Sequence, residues 1–372
     1  MTLLEEAPDL KKTPLYDRHL ALQGKMVEFG GWNLPVYYTS ILSEHQWTRS
    51  SCSFFDVSHL GEIRVTGKGA FDYLQHRFPN DIRRALPGKI VYGVLCDPRG
   101  HALDDVLIYG GATGEYFLIV NAANIEKDMK LFRADASPSV EIVDLSDRMA
   151  CIAVQGPKSE SVLETLFGFR LNGMPYYSHK QERALGENVW ISRTGYTGED
   201  GFEIFSASDH IAAVWDHLVS KGKAEGALPA GLGARNTLRL EAGNVLYGHE
   251  LDEETTPLEA GLSFSVDFKK TDFIGRESLL AQKKNGVKKN LIGFEMRDRS
   301  VPREKYPVRS EGKKIGYVTS GSFAPTVGRP IGMAFVESGK AALGARIQIE
   351  IHGRMAEAEV VRRPFIKLRH KK

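Results

Sequence analysis

The sequence predicts an α+β protein, and three observations lead there. Short alternating runs recur between Gly, Asn, Asp and Pro punctuation, with Gly alone supplying 37 of 372 residues, as many short antiparallel strands require. Apolar residues at three- and four-residue spacing occur in scattered segments among those runs, and evenly spaced βαβ units are not visible. A polar, basic stretch at residues 281–290 follows Ile274-Gly275-Arg276, and strand-like runs dominate beyond it.

Each element follows from its own pattern. Helical spacing predicts helices at residues 41–49, 70–77, 123–134, 158–166, 208–221 and 235–240. Strand alternation around Gly-Gly-Ala-Thr-Gly predicts a hairpin of residues 101–109 and 115–121, and a second tight turn lies between strands at residues 192–204. Gly-punctuated runs at residues 291–294, 314–318, 331–336 and 347–351 predict the strands of a small barrel or sandwich. The basic stretch marks the boundary between a region of residues 1–280 and a C-terminal domain of residues 288–367. Roughly 100–200 residues per domain also gives two or three domains for this length.

Composition excludes several classes. Lys+Arg 49 against Asp+Glu 47 leaves a net charge of +2, too balanced for a nucleic-acid binder. The longest apolar runs, such as residues 149–154, fall far short of the ~18 residues that cross a bilayer, so no membrane partner is expected. The start, Met1-Thr2-Leu3-Leu4-Glu5-Glu6, resembles neither a signal nor a transit peptide, which points to the cytoplasm, although a processed organellar protein would look the same. Cys52, Cys96 and Cys151 show no CxxC spacing and fit inert thiols in a reducing compartment. The 11 His are scattered without HExxH, so no metal site is expected. GxSxG is also missing, and Ser58 and His59, as neighbours on a strand, would point apart, so a serine hydrolase is disfavoured and His59 is expected to be structural.

Three segments can carry chemistry. On the strand at residues 101–109, alternation puts Asp105, Leu107 and Tyr109 on one face and Asp104, Val106 and Ile108 on the other, while Phe117, Ile119 and Asn121 share a face of the partner strand. If its face is buried, Asp105 must be hydrogen-bonded, paired or functional; alternatively Asp104 and Asp105 simply begin a surface strand. In the second segment, Ser192 to Ile204, Glu203 emerges beyond a turn whose glycines let another group approach the backbone. A carboxylate there can accept two parallel hydrogen bonds from an amino-pyrimidine edge, or it is solvated beside an ordinary hairpin. Third, Arg235 and Arg239, four apart after a Gly-rich loop, share a helix face. The planar fork of Arg235 suits a carboxylate-bearing ligand, although surface ion pairs are the commoner fate of arginine.

Together these segments resemble the T-protein family of the glycine cleavage system, the tetrahydrofolate-dependent aminomethyltransferases, over nearly the whole chain. The resemblance runs through Thr13-Pro14-Leu15-Tyr16, Phe29-Gly30-Gly31-Trp32, Phe55-Asp56-Val57-Ser58-His59, the Asp104-Asp105 strand, Val154-Gln155-Gly156-Pro157, Arg193 to Glu203, Leu246 to Gly261, Gly316-Tyr317-Val318 and Pro364-Phe365. It implies a three-lobed cloverleaf: two interwoven antiparallel-sheet α+β lobes plus a C-terminal β-barrel lobe, with tetrahydrofolate in the central opening. The implied reaction moves the aminomethyl group from the lipoyl arm of the carrier H-protein to tetrahydrofolate, in concert with the glycine decarboxylase and dihydrolipoyl dehydrogenase. The products are 5,10-methylenetetrahydrofolate, ammonia and the dihydrolipoyl carrier.

Carried over residue by residue, the resemblance makes Asp105 the essential aspartate near the folate N10. It makes Glu203 the pterin-binding glutamate, Arg235 a folate contact, and Tyr92, Tyr109, Asn121 and Tyr196 pocket-lining residues. Three departures stand out: Asn236 where the family usually has Asp, which removes the charge an ion pair would use; Leu60 for the common Met, a tolerated swap; and a C-terminus where Lys367 or Arg369 could approach the folate. A related folate enzyme with another one-carbon donor shares the pocket. An assembly or repair protein of this fold would carry a Lys-Gly-Cys-Tyr motif, which is missing.

Overall fold

The computed structural model describes residues 10–370. Helix α1 (Tyr16–Ala21), the hairpin β1 (Lys25–Phe29) and β2 (Trp32–Tyr37), α2 (Ile41–Ser50) and β3 (Cys52–Asp56) open the first lobe. The chain then builds a second lobe from β4 (Gly61–Thr66), α3 (Ala70–Arg77), β5 (Ile90–Cys96), β6 (Ala102–Gly110), β7 (Glu115–Val120), α4 (Ile125–Ala134) and β8 (Glu141–Asp144). It returns to the first with β9 (Met149–Gln155), α5 (Ser159–Phe167), β10 (Ser178–Ala184), β11 (Glu187–Arg193), β12 (Gly201–Ala207), α6 (Ile211–Glu225) and β13 (Ala227–Pro229). Strands β3 and β9, separated by the entire second lobe, pair antiparallel, so the two lobes are interwoven.

Each lobe is a sheet with helices on its outer face. The six-stranded sheet runs β10-β11-β12-β9-β3-β13 and the five-stranded sheet β5-β6-β7-β4-β8. Phe202 and Ile204 of β12 pack outward with Val162, Leu163, Val214 and Trp215 of α5 and α6. In the second lobe Val106 and Ile108 of β6 pack outward with Ala70 and Leu74 of α3 and Met129 and Phe132 of α4. The inner faces of the two sheets then close on one shared cluster, in which Phe55, Cys151, Ala153 and Phe205 meet Ile90, Tyr109 and Phe117. Strand alternation therefore sends every second side chain of β6 and β12 into the junction between the lobes.

Helix α7 (Leu232–Glu241) follows, then an irregular segment, α8 (Arg276–Asn285), and β14 (Lys289–Met296), β15 (Pro307–Ser310), β16 (Lys313–Ala324), β17 (Arg329–Glu337), β18 (Arg346–Ile351) and β19 (Arg354–Val361). These last six strands close a barrel in the order β14-β17-β16-β15-β18-β19. The barrel docks on the lobes through Val94, Cys96 and Ala102 of the second lobe, Leu240 and Leu251, and its own Ile331, Met333 and Phe335. Gly231 allows α7 to start against β2, since a Cβ there would lie 2.5 Å from the Val36 carbonyl carbon. The Glu44 carboxylate accepts from the Gly231 N–H at 2.9 Å and fixes that start.

Two elements depart from the sequence expectations. Part of the basic stretch is helical, in α8, where Leu279 alone is fully buried, against Val266 and Phe273; a single anchoring side chain leaves no periodic signal. Ser58 and His59 lie in a turn after β3 and not on a strand, so pleat alternation does not govern their directions.

The barrel is fastened by buried charge. Arg239 donates to Glu250 at 3.1 Å, to Ser320 of the barrel at 2.8 Å and to Asn236 Oδ1 at 2.9 Å. Arg239→Met is expected to strand the buried Glu250 carboxylate and cost about 3–5 kcal/mol of stability, read as a lower urea midpoint. An unchanged midpoint would contradict this role for the pair.

Candidate functional site

The junction between the two sheets holds both carboxylates singled out in the sequence. On β6, Asp104 faces the helix-covered core and is 0% exposed, whereas Asp105 faces the junction and is half-buried. Neither begins a surface strand. Asp104 accepts from the Asn121 backbone N–H at 3.1 Å, from Asn121 Nδ2 at 2.7 Å and from Asn124 Nδ2 at 2.7 Å. Asp105 accepts from the Tyr92 hydroxyl at 2.9 Å and from Asn121 Nδ2 at 3.0 Å. Tyr92 reaches it diagonally, because the register sets Val94, not Tyr92, directly opposite Asp105.

Asp105 is pushed up to about 7, first by burial and then by the charge of Asp104, while the bonds from Tyr92 and Asn121 oppose the rise. A carboxyl group that titrates near neutrality can take a proton and return it at the same pH. Burial and the nearby Asp105 charge raise Tyr92 well above the usual phenol range, so it stays a donor.

Glu203 enters the junction from β12, opposite Ser192 of β11 and Ala153 of β9. It is 7% exposed and not solvated. Thr194 donates to its Oε2 at 2.5 Å, with the Ser192 and Tyr109 hydroxyls at 3.5 Å. Tyr177, missed in the sequence, lies where both carboxylates reach it: burial, then Glu203, then Asp105 push its phenol up to about 12. Tyr176 stacks on His370 with ring centroids 4.3 Å apart, which brings the C-terminal segment back to this wall. Phe264, 64% exposed, lies over Tyr92 at 5.7 Å and was equally hidden, since an exposed aromatic in an irregular segment has no periodic pattern.

Arg235, in the first turn of α7, lies over the Tyr196 ring at 4.7 Å. Among the described residues no carboxylate lies within ion-pair distance of it, unlike Arg239. It lines a narrow cleft with Pro35, Phe55, Asp56 and Gly231. Burial, then the Arg235 charge, holds the nearby His59 down at about 4, which makes it neutral. Tyr196 donates to the Val245 carbonyl.

Other expectations take a different form. The close approach that the turn glycines permit is made by the chain itself: a Cβ on Gly195 or Gly201 would lie 2.0 or 2.3 Å from the Gln155 amide. Arg193 belongs to the scaffold, bonding Asp200 at 2.5 Å and Glu160 at 2.6 Å. Asn236 still accepts from Arg239, so an amide fills the contact without the charge. Lys367 is exposed, and Arg369 is tied to the 194–200 loop, its N–H donating to the Gly198 carbonyl at 2.8 Å. Among the described residues no group of three or more His, Cys, Asp or Glu could hold a metal ion, and no helix is long and apolar enough to cross a membrane.

Comparison with known proteins agrees with this architecture. Residues 15–270 match the GCVT N-terminal domain, and residues 289–367 match the glycine cleavage T-protein C-terminal barrel domain. An aminomethyltransferase of Moorella thermoacetica is 47% identical over 358 residues, 96% of this chain and 98% of that protein. One from Bacillus subtilis is 42% identical over 360 residues, 96% of this chain and 99% of that one. The crystal structure of the glycine cleavage system aminomethyltransferase T from Bartonella henselae matches with a TM-score of 0.92 at 30% identity, covering 98% of this chain and all of that one.

Carbon-13 NMR of labelled aspartate should show Asp105 titrating at about 7. Tyr92→Phe removes a bond that favours the anion and should move that midpoint higher still. A midpoint near the ordinary ~3.9 of aspartate would contradict the geometry described.

Proposed function

Because this chain belongs to the glycine cleavage T-protein family across both its domains, we propose that it transfers the aminomethyl carbon from the lipoyl arm of H-protein to tetrahydrofolate. The observation that carries the proposal is Asp105, held between Tyr92 and Asn121 in the enclosed junction and poised near neutrality. Glu203 in the same junction has one carboxylate edge fixed by Thr194, leaving the other to accept from the amino-pyrimidine edge of the pterin. Arg235, without a carboxylate partner among the described residues, suits the anionic part of the ligand. Tyr92, Tyr109, Asn121 and Tyr196 line the pocket.

The chemistry balances through one carboxyl group. Bonds form from the transferred carbon to N5 and N10 of the folate, and the bonds from that carbon to sulfur and to the amine nitrogen break. The two folate N–H protons end on ammonia and on the lipoyl thiol. Asp105 accepts the proton that a folate nitrogen sheds and passes it toward a leaving group, which requires a group that titrates near working pH. Holding both nitrogens against one carbon supplies the rest. The glycine decarboxylase and dihydrolipoyl dehydrogenase would load and reoxidise the carrier. The three buried free thiols fit a reducing compartment, and we place the reaction in the cytoplasm.

The test is reconstitution with those partners, glycine and tetrahydrofolate. Adding this protein should produce folate-dependent ammonia and methylenetetrahydrofolate; unchanged flux would refute the donor, and a different one-carbon donor would then be sought. Asp105→Asn should lower turnover by about 10²–10⁴-fold with the folate Kd little changed. Glu203→Gln should show the opposite split, weakening folate binding by about 10–100-fold, as loss of a charged hydrogen-bond acceptor does. Equal activity of Asp105→Asn and the unaltered protein would remove Asp105 from the mechanism.

A further inference from the structure

Asp128 is a buried acid that the proposed reaction does not yet use. It lies on α4, one turn beyond Asn124, and is 0% exposed. Neither of its carboxyl oxygens has a hydrogen-bond donor among the described residues. Its helix neighbour Lys127 points away, giving its ammonium to the Tyr247 hydroxyl at 2.8 Å and to Glu253 at 3.0 Å. What faces Asp128 is Asp104, the carboxylate that Asn121 and Asn124 also hold.

We propose that Asp128 is a positioning residue for the reaction: its carboxyl group bonds Asp104 from the core side, and that bond holds Asp104, Asn121 and the reacting Asp105 in one fixed chain. The inference deepens the function proposed above and rests on it for the word reaction only. Two buried carboxylates facing each other without a cation would repel and lack partners. If one is neutral, its O–H becomes the donor that the other needs. The acid must be Asp128, because Asp104 already accepts three bonds from amide N–H groups, which favour its anion. Burial, then the charge of Asp104, pushes Asp128 up to about 10, with Asp105 adding to the rise and Lys127 opposing it. Asp104 thereby keeps the negative charge that raises Asp105, and the same charge also raises Tyr247.

The signs are fixed. Removing the donor makes Asp104 harder to ionise. Once neutral, Asp104 no longer raises Asp105, whose midpoint falls from about 7 toward the ordinary carboxylate range. Asp128→Asn replaces the O–H by an N–H and should preserve the arrangement; Asp128→Leu should not.

The experiment uses the full chain. The infrared spectrum of the unaltered protein at about pH 8 should contain the carbonyl band of a protonated carboxylic acid that Asp128→Asn removes. No difference at that band would mean that Asp128 is ionised, and would overturn the proposal. In reconstituted turnover, Asp128→Asn should stay within about twofold of the unaltered protein, while Asp128→Leu should fall by about 10–100-fold with its Asp105 midpoint shifted down. A folded Asp128→Leu protein with an unshifted midpoint would overturn it as well. The infrared and titration readings need no substrate, so they decide the role of Asp128 even if tetrahydrofolate turnover fails. The infrared comparison decides it even if Asp128→Leu does not fold.

Discussion

A strand that carries two adjacent aspartates sends one carboxyl group to each face of its sheet, and when both faces are covered each charge needs its own partners. That constraint shapes the second lobe. Asp104 is satisfied from the core side by the residues that start α4, and Asp105 from the junction side by Tyr92 of the neighbouring strand. Asn121 bonds both. The loop that leaves β7 must therefore turn back across β6, and α4 follows from where that loop ends. Asp105 inherits a fixed direction and a proton affinity near neutrality from burial, the Asp104 charge and the bonds of Tyr92 and Asn121.

Helix α7 does the corresponding work for the three lobes. Its first turn presents Arg235 to the junction, its middle ties Arg239 to the barrel, and its last residue, Glu241, bonds Arg49 of α2 at 2.9 Å and the Thr326 N–H of the barrel at 2.8 Å. Successive turns of one helix thus serve the opening and close it. The C-terminal segment completes the closure, since Phe365 bonds the Glu241 carbonyl and His370 stacks on Tyr176.

Much of this was legible because it rests on local periodicity. The helices α2 to α7 have apolar residues at helical spacing, and the two carboxylate strands alternate cleanly enough to place Asp105 beside Tyr109 and Glu203 opposite Phe202. What escaped has no local signal. Helix α1 buries only His19 and α8 only Leu279, so neither shows a stripe. Strand β13 is three residues long and pairs in parallel with β3 across much of the chain. Lys127-Asp128 resembles any solvated helix face, and only the packed sheet reveals that Asp128 points at Asp104. Tyr177 takes a left-handed backbone conformation, φ 60°, outside any strand, so its position between the carboxylates could not be counted from a pattern. The turn glycines let another group approach the backbone, and that group is the Gln155 amide, because a side chain from the adjacent strand is as good a reason for glycine as a ligand.

The most direct test is a crystal structure of this protein with tetrahydrofolate bound. The pterin is expected against Glu203, with the edge bearing N5 and N10 turned toward Asp105 within the junction of the lobes. Folate bound outside that junction, or reversed so that its pterin meets Asp105 and Glu203 faces only solvent, would contradict it.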